Sequence, residues 1–335
     1  MPSRRDLLRG LSVTGTAGLL GIGPTRIAAE PPPETTTLRL TGGPVVSICE
    51  APQYVAEELL RSEGFTDVQY VKTGSMAEGS RLLAVGQIDI GTSTAASVIT
   101  RSDVGDPLVI LGGLHVGCFE VVGSDRVRTL RDLKGKTVAV TELGGPDHAF
   151  LASMVAYVGL DPRKDINWVT HPMVESTKLL AERKIDALLA LPPSPQELRA
   201  KKIGHAVVIS GLDRPWSQYF CCMAHTNREF IRKYPVAAKR ALRAILKAAD
   251  VCAREPERAA RFLVDKGYTQ SYDSALETMK GLGYQKWREY DPEDTVRFYA
   301  LRLHEAGMIK SSPQKIIAQS TDWRFLTELK KELKG

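Results

Sequence analysis

The chain has little cysteine, and none of it stands in a pattern typical of metal sites. Five cysteines are spread over 335 residues, and no Cys-x-x-Cys or His-x-x-x-His pair occurs. A chain of this length can build a large hydrophobic core, so it does not need a disulfide framework. We therefore predict no obligatory disulfide, no zinc site and no cofactor.

Long apolar runs and blocks of like charge are also missing. Beyond Ala29 no stretch approaches 18 consecutive apolar residues, so the sequence predicts no membrane-spanning helix. The formal net charge is +6, and the basic residues form no cluster. A net positive charge this small, with no basic cluster, does not favour binding to nucleic acid.

The amino end, in contrast, has the features of an export signal. The pair Arg4-Arg5 precedes a weakly apolar run from Leu11 to Gly23, and Ala29 offers a small residue for cleavage. Glycines and a proline in this region would break an amphipathic helix. The pattern is typical of a twin-arginine signal. We predict a signal peptide at 1–29 and a linker at 30–36, with a mature net charge of +3 after four arginines and one aspartate are removed.

One segment of the sequence is used twice. The run Leu82 to Ile90 aligns without a gap on Leu179 to Ala187, and both contain Leu-Leu-Ala and an Ile-Asp pair. Upstream, Leu38 to Gly43 has a counterpart in Val138 to Gly145. Each copy alternates period-2 and period-3.6 segments, which predicts parallel βαβ units. The sequence therefore predicts an α/β protein with two lobes of one design.

Two extended segments are predicted to connect the lobes. The first carries Cys118 and the second carries Cys221 and Cys222, after which the pattern is almost wholly helical. The predicted bounds are 37–117 and 224–335 for lobe one and 118–223 for lobe two. Adjacent strands bring side chains within disulfide range. Cys118 is thus predicted to lie near one of the pair. Two alternatives remain: all three are buried reduced thiols, or Cys118 forms a disulfide that joins the two connecting segments.

Three short runs carry a resemblance to a known family: Gly86 to Gly91, Leu130 to Val140 and Arg228 to Pro235. In this order and behind an export signal, they resemble periplasmic solute-binding proteins of ABC importers in the nitrate, sulfonate and taurine (NitT/TauT) group. That group is related in fold to the pyrimidine-precursor synthase. The resemblance implies a two-lobed periplasmic binding protein fold of type II, in which each lobe is a mostly parallel sheet flanked by helices, with a helical carboxyl-terminal tail.

The resemblance also implies a function. A small organic solute, sulfonate-, carboxylate- or pyrimidine-like, would be held in the cleft between the lobes and delivered to an ABC permease at the inner membrane. No bond would be made or broken, and a periplasmic monomer would suit this role.

Loops at the carboxyl ends of the parallel strands are the predicted site, because ligands bind there in such sheets. A Gly-Gly loop before a helix lets a ligand approach backbone N–H groups, although each can be a simple tight turn. Hydroxyls after the third strand of lobe one can contact a ligand or cap the next helix. The candidates from these loops and their duplicates are Gly42, Gly43, Pro44, Thr92, Ser93, Thr94, Gly144, Gly145, Asp147, Pro192 and Pro193.

Four ring side chains complete the candidate set. His115 and His148 are placed on cleft-side loops, and Trp216 and Tyr219 beside the second crossover. A histidine can be a ligand group or a satisfied polar residue, and an aromatic ring can stack on a planar ligand or fill the hinge. The predicted rims contain no arginine or lysine. An anionic ligand would therefore rely on backbone N–H groups and histidine.

Two enzymatic alternatives remain. The run Gly91 to Ala95 imitates a Gly-x-Ser-x-Gly nucleophile elbow with Ser93 as nucleophile, but it lacks the final glycine. Phe220 to Cys222 is a fragment of the cysteine-rich segment found in the pyrimidine-precursor synthase. Duplicated lobes disfavour the hydrolase, and predicted export disfavours cytosolic biosynthesis.

Overall fold

The two copies in the sequence form two β-sheets of the same topology. In the computed structural model, which describes residues 30–42 and 47–334 and only the backbone of Met76, ten strands are present. They are β1 Thr37–Gly42, β2 Asp67–Lys72, β3 Ile90–Thr94, β4 Leu108–Val116, β5 Glu120–Gly123, β6 Thr137–Val140, β7 Asn167–Thr170, β8 Ala187–Ala190, β9 His205–Ile209 and β10 Phe220–Asn227. The predicted signal peptide at 1–29 lies outside the described residues.

Strand order shows the duplication directly. Sheet one has the order β2-β1-β3-β10-β4, and sheet two has the order β7-β6-β8-β5-β9. The first three strands of each sheet are parallel, and the fourth, β10 or β5, runs antiparallel to both of its neighbours. That antiparallel strand is the one that the chain forms on arriving from the other sheet. Strand β10 already pairs in sheet one from Phe220, before the predicted return at 224.

Helices flank the sheets and make up the carboxyl-terminal region. They are α1 Ala51–Val55, α2 Glu57–Ser62, α3 Met76–Ala84, α4 Ala95–Asp103, α5 Pro146–Tyr157, α6 Met173–Ala181, α7 Ser194–Ala200, α8 Arg228–Lys233, α9 Pro235–Arg254, α10 Pro256–Asp265, α11 Tyr272–Gly281, α12 Pro292–Glu305, α13 Pro313–Ser320 and α14 Arg324–Glu332. The predicted two-lobed fold with a helical tail is confirmed. Among the described helices, none has the length and apolar character needed to cross a membrane.

The helical tail packs mainly on lobe one. Helix α9 buries an alanine- and leucine-rich stripe and contacts α1 and α2. Helix α12 contacts α4 of lobe one and α5 of lobe two, so it bridges the two lobes. Residues Pro32–Gly335 form one compact unit, and of the other unit, Met1–Pro31, only Glu30 and Pro31 are described.

The repeated Ile-Asp pair has the same role in both sheets. The Oδ2 atom of Asp89 accepts a hydrogen bond from the backbone N–H of Arg39 at 2.7 Å, and Oδ2 of Asp186 accepts one from Thr137 at 3.0 Å. In return, the backbone N–H of each aspartate donates to the carbonyl of the same partner residue at 2.8 Å. Both aspartates are buried. Each carboxylate therefore joins the start of the first strand to the start of the third.

We expect removal of either carboxylate to cost about 2 kcal/mol of unfolding free energy, because a buried N–H loses its acceptor. The variants are Asp89→Ala and Asp186→Ala, measured by urea denaturation. Asp67→Ala removes an exposed carboxylate at the start of β2 and is the control, expected to stay within about 0.5 kcal/mol. A cost at either buried site no larger than that of the control would contradict the shared role.

Candidate functional site

At the carboxyl end of β3, the hydroxyl of Thr94 contacts lobe two and that of Thr92 contacts α1 of lobe one. The Oγ1 atom of Thr94 accepts a hydrogen bond from the N–H of Ser97 at 3.2 Å, which caps α4, and it donates to the carbonyl of Pro146 at 3.4 Å. The hydroxyl of Thr92 donates to Oε1 of Gln53 at 3.4 Å. Both threonines are buried. Thr94 is thus a helix cap and also a contact between the two lobes.

Ser93 lies inside β3, opposite Met223 of β10. Its side chain is buried, and its Oγ has no hydrogen-bond partner in the part of the chain that the structure describes. Its φ is negative. A nucleophile elbow needs a strained turn and a base within hydrogen-bond reach. Neither feature is present at Ser93 among the described residues.

The loop between β6 and α5 is closed by its own side chains. The Oδ2 atom of Asp147 accepts hydrogen bonds from the N–H and the hydroxyl of Thr141 at 2.5 and 2.8 Å. The N–H of Gly144 donates to Nδ1 of His148 at 3.1 Å. Burial lowers the pKa of His148, which favours the neutral ring that this acceptor role requires. Gly145 is the N-cap of α5, and Gly144 has a φ of +78°.

Three other predicted residues lie at or near strand ends. Gly42 is the last residue of β1, and its carbonyl accepts a hydrogen bond from the N–H of Thr73 at 2.9 Å. Its neighbours Gly43 and Pro44 lie outside the described residues. In lobe two, Pro192 is half-buried and Pro193 is exposed immediately before α7. Ligand contact by these residues stays a prediction.

The aromatic residues at the second crossover pack on helices. The ring of Tyr219 stacks on Phe298 of α12 with centroids 4.1 Å apart. Trp216 meets Tyr157 of α5 edge-on at 5.7 Å and is buried. These contacts favour the alternative in which both rings fill the hinge.

A cavity of about 150 Å³ lies where α3 and α4 of lobe one face the β6–α5 loop of lobe two. It is lined by Ala77, Ser80, Arg81, Ser97, Arg101, Glu142, Leu143, Gly144 and Pro146. Arg81 is 3.9 Å from a carboxylate oxygen of Glu142, and Arg101 pairs with Asp106 at 2.5 Å. The buried Nε of Arg101 makes no hydrogen bond within residues 30–42 and 47–334.

These two guanidinium groups were missed by the sequence interpretation, which found no cation on the predicted rims. Arg81 and Arg101 stand in the last turns of α3 and α4 and not in the loops after the strands. Each arginine lies about one and a half helical turns after the start of its helix. Testing which helix residues face the predicted loops could have identified them. Each guanidinium is already paired with a carboxylate, Glu142 or Asp106. Together with the serine hydroxyls and the glycine loop, the guanidinium groups give the cavity hydrogen-bond donors for a small anion.

A larger cavity, of about 600 Å³, lies elsewhere. Its lining includes Arg39, Asp89 and Tyr234, and it opens beside the residues that precede β3 and follow β10. Ligands in open α/β sheets bind beyond the carboxyl ends of the parallel strands. This cavity lies at the amino end of β3, so we do not assign it to the cleft.

A group of buried thiols and one imidazole lies where the two crossovers meet lobe one. We call it the cysteine–histidine cluster; its members are Cys49, His115, Cys118, Cys221 and Cys222. The sequence predicted that Cys118 lies near one of Cys221 and Cys222, and the structure places it near both. It missed Cys49, whose Sγ is 2.7 Å from that of Cys118. Cys49 follows the first Gly-Gly loop by a few residues, and this position at the strand ends is the sequence feature that could have identified it.

Mutual contacts shift the pKa values within this cluster. Hydrogen bonds from Cys118 and Cys221 lower the pKa of Cys222 well below the ordinary value for a thiol. Burial lowers the pKa of His115, but the charges of Cys222 and Cys49 outweigh it and raise that pKa to about 9. Burial raises the pKa of the neighbouring Glu50 to about 8. The pKa shifts in the cluster therefore come from burial and from contacts among its own members.

Comparison with known proteins supplies a family and a fold. Residues 31–263 match the NMT1-like family. The periplasmic nitrate-binding protein NrtA from Synechocystis PCC 6803 has a TM-score of 0.74 and 18% identity, over 91% of this chain and 90% of that one. The alkanesulfonate-binding protein SsuA from Xanthomonas axonopodis pv. citri, bound to MOPS, has a TM-score of 0.64 and 17% identity, over 85% and 96%.

A ligand-binding component of an ABC-type import system from Staphylococcus aureus, solved with zinc bound, has a TM-score of 0.69 and 12% identity, over 88% of this chain and 99% of that one. A search of curated protein sequences finds no match.

Proposed function

Because this chain belongs to the NMT1-like family, we propose that it is the extracytoplasmic solute-binding subunit of an ABC importer of the NitT/TauT type. It captures a small organic anion, sulfonate- or carboxylate-like, between its two lobes and delivers it to a membrane permease. It acts as a binding protein and not as an enzyme, and it works as a monomer. The predicted signal peptide at 1–29, cleaved near Ala29, directs it to the periplasm.

The observation that carries this proposal is the pair of arginines at the cavity between the lobes. Arg81 and Arg101 come from lobe one and face the glycine loop of lobe two. An anion held there would contact both lobes at once, which couples binding to lobe closure. Of the three solute classes that the sequence suggests, sulfonates and carboxylates use these cations, and pyrimidines do not.

The architecture supports the same role. The chain passes from sheet one to sheet two through residues 117–119, between β4 and β5, and it returns through residues 210–219, a run of turns and one 3-10 turn between β9 and β10. Two short connections let lobes rotate towards each other as rigid bodies, as in hinge closure about a ligand. NrtA and SsuA, which share this fold, are named for binding nitrate and alkanesulfonates. Both of those ligands are anions.

We expect one class of sulfonate or carboxylate, at saturating concentration, to raise the melting temperature of the mature protein by about 5 °C or more. The reason is that a ligand that binds only the folded state stabilises it. In Arg101→Gln, the affinity for that solute is expected to fall about 10- to 100-fold, because a charge-assisted hydrogen bond is lost. Isothermal titration calorimetry measures the change.

The matched control is Arg61→Gln, which removes an exposed arginine of α2 that pairs only with Glu57 in the described residues. It should bind the solute as the unmutated chain does. Stabilisation by pyrimidines alone would overturn the anion assignment. Covalent labelling of Ser93 by a fluorophosphonate, without stabilisation by any solute, would favour the hydrolase instead.

A further inference from the structure

The cysteine–histidine cluster gathers side chains from three separate segments where the two crossovers meet lobe one. Cys49 lies in the short 3-10 turn before α1, His115 near the end of β4, and Cys118 in the first crossover. Cys221 and Cys222 belong to the start of β10. None of the five is more than 7% exposed. The fold thus buries a concentrated set of soft donor atoms in one place.

The donor atoms are close enough to share one ion. The Sγ atoms of Cys49 and Cys118 and a ring nitrogen of His115 lie within 4.8 Å of one another, and so do the three Sγ atoms of Cys118, Cys221 and Cys222. Zinc–sulfur bonds of about 2.3 Å hold the sulfurs of a tetrahedral site ~3.8 Å apart. The sulfurs of Cys49 and Cys118, which are 2.7 Å apart, therefore move apart by about 1 Å when both bind one ion. Cys118 belongs to both groups, so any ion shared by the cluster includes it as a ligand.

An irregularity in β10 makes the paired cysteines available together. Consecutive residues of a regular strand point to opposite faces of the sheet. The pairing of β10 with β4 shifts register on both sides of Cys222, and such bulges re-aim side chains. Both Cys221 and Cys222 consequently reach Cys118.

The imidazole is held in the orientation that a metal ligand needs. Its Nδ1 is 2.9 Å from the carbonyl of Gly117, which accepts a hydrogen bond from the ring when Nδ1 carries the proton. Its Nε2 is buried and makes no hydrogen bond to any residue that the structure describes. Histidines that ligate metals commonly donate their other ring N–H to a backbone carbonyl. Nε2 is then the nitrogen left for an ion.

We propose that the cysteine–histidine cluster binds one thiophilic d¹⁰ ion, Zn²⁺ or Cu⁺. Thiolate and imidazole are the ligands that such ions prefer, whereas Mg²⁺ and Ca²⁺ prefer oxygen. Each cysteine that binds releases any thiol proton it carries to solvent, and His115 releases any proton on Nε2, so that it binds as the neutral ring. The ion ties the first turn of lobe one to both crossovers. This inference does not depend on the proposed solute, whose cavity is built from other residues.

The test measures metal in the full-length chain, expressed with its signal and purified without chelators or reductants from cells grown with added zinc or added copper. Plasma mass spectrometry is expected to find about one ion per chain in one of the two preparations. X-ray absorption is expected to show sulfur near 2.3 Å and, for zinc, nitrogen near 2.0–2.1 Å. The two growth conditions distinguish Zn²⁺ from Cu⁺.

Two serine variants make the test specific. Cys118→Ser removes the shared ligand and is expected to weaken binding of the added ion more than about 100-fold, since even outer-shell changes cost 10–100-fold. Cys252→Ser removes a buried thiol of α9 that is outside the cluster and is expected to keep the ion. Competition with a chromophoric zinc or copper chelator measures both.

Thiol alkylation of the unmutated protein keeps the test valid if Cys118→Ser does not fold. Burial alone shields these thiols in the folded protein, so the thiols are counted after denaturation with a chelator, where five free thiols are expected beside about one ion per chain in the native protein. A metal-free protein with five free thiols, a disulfide between Cys49 and Cys118 in place of the ion, or full metal retention in folded Cys118→Ser would each overturn the proposal.

Discussion

Gly117→Ala is expected to lower the unfolding free energy by about 3–5 kcal/mol, a loss at the upper end for a single methyl group. Gly117 has a φ of +73°, and a Cβ there would lie 2.5 Å from the Cα of Gly211. The left-handed backbone costs a non-glycine residue about 1–2 kcal/mol. The rest comes from a backbone contact that cannot be relieved by rotating a side chain.

Gly135→Ala separates these two causes. Gly135 has nearly the same φ, +72°, and a Cβ there would meet nothing within 4 Å. It is therefore expected to lose only the conformational part, about 1–2 kcal/mol. Urea denaturation of both variants measures the difference. Equal losses at the two glycines would mean that the crossovers can move apart without cost, contrary to the close approach of Gly117 and Gly211.

Between pH 7 and pH 4, His225 is expected to remove about 3 kcal/mol of stability from the folded protein. His225 lies in β10 and is 2% exposed. Burial lowers its pKa from 6.5 to about 4. Between these values the unfolded chain binds the proton more readily than the folded chain. The stability contribution is therefore complete above pH 6.5 and is lost as the pH falls towards 4.

The measurement is the slope of unfolding free energy against pH, from urea denaturation at several values between pH 4 and pH 7. His225→Gln is expected to flatten that slope in this range, whatever its effect on absolute stability at pH 7. His304→Gln replaces an exposed side chain of α12 and should keep the slope of the unmutated chain. An unchanged slope in His225→Gln would show that other groups cause the acid sensitivity.

Local chemistry made a large part of this fold readable from the sequence. The repeated Ile-Asp pair predicted two copies of one unit, and in both copies the aspartate bonds to the start of the first strand. Thr94 has the hydroxyl and the position of a helix cap, and it caps α4. The cap depends on residues near in sequence, and the duplication shows in a periodicity that each element carries by itself. The bonds from Asp89 and Asp186, in contrast, join distant segments of the chain. Parallel units then follow with little choice of topology.

Tertiary structure alone decided what meets across elements. Arg101 lines the inter-lobe cavity because α4 packs beside the β6–α5 loop. Tyr219 lies on α12 because its ring stacks on Phe298. Cys49 meets Cys118 through the docking of the first turn of lobe one on a crossover that follows much later in the chain. Motifs such as Cys-x-x-Cys detect only metal ligands that are close in sequence, so they did not identify this cluster. The cluster exists because long-range packing and a bulge in β10 set the distances between side chains, and no local pattern encodes such distances.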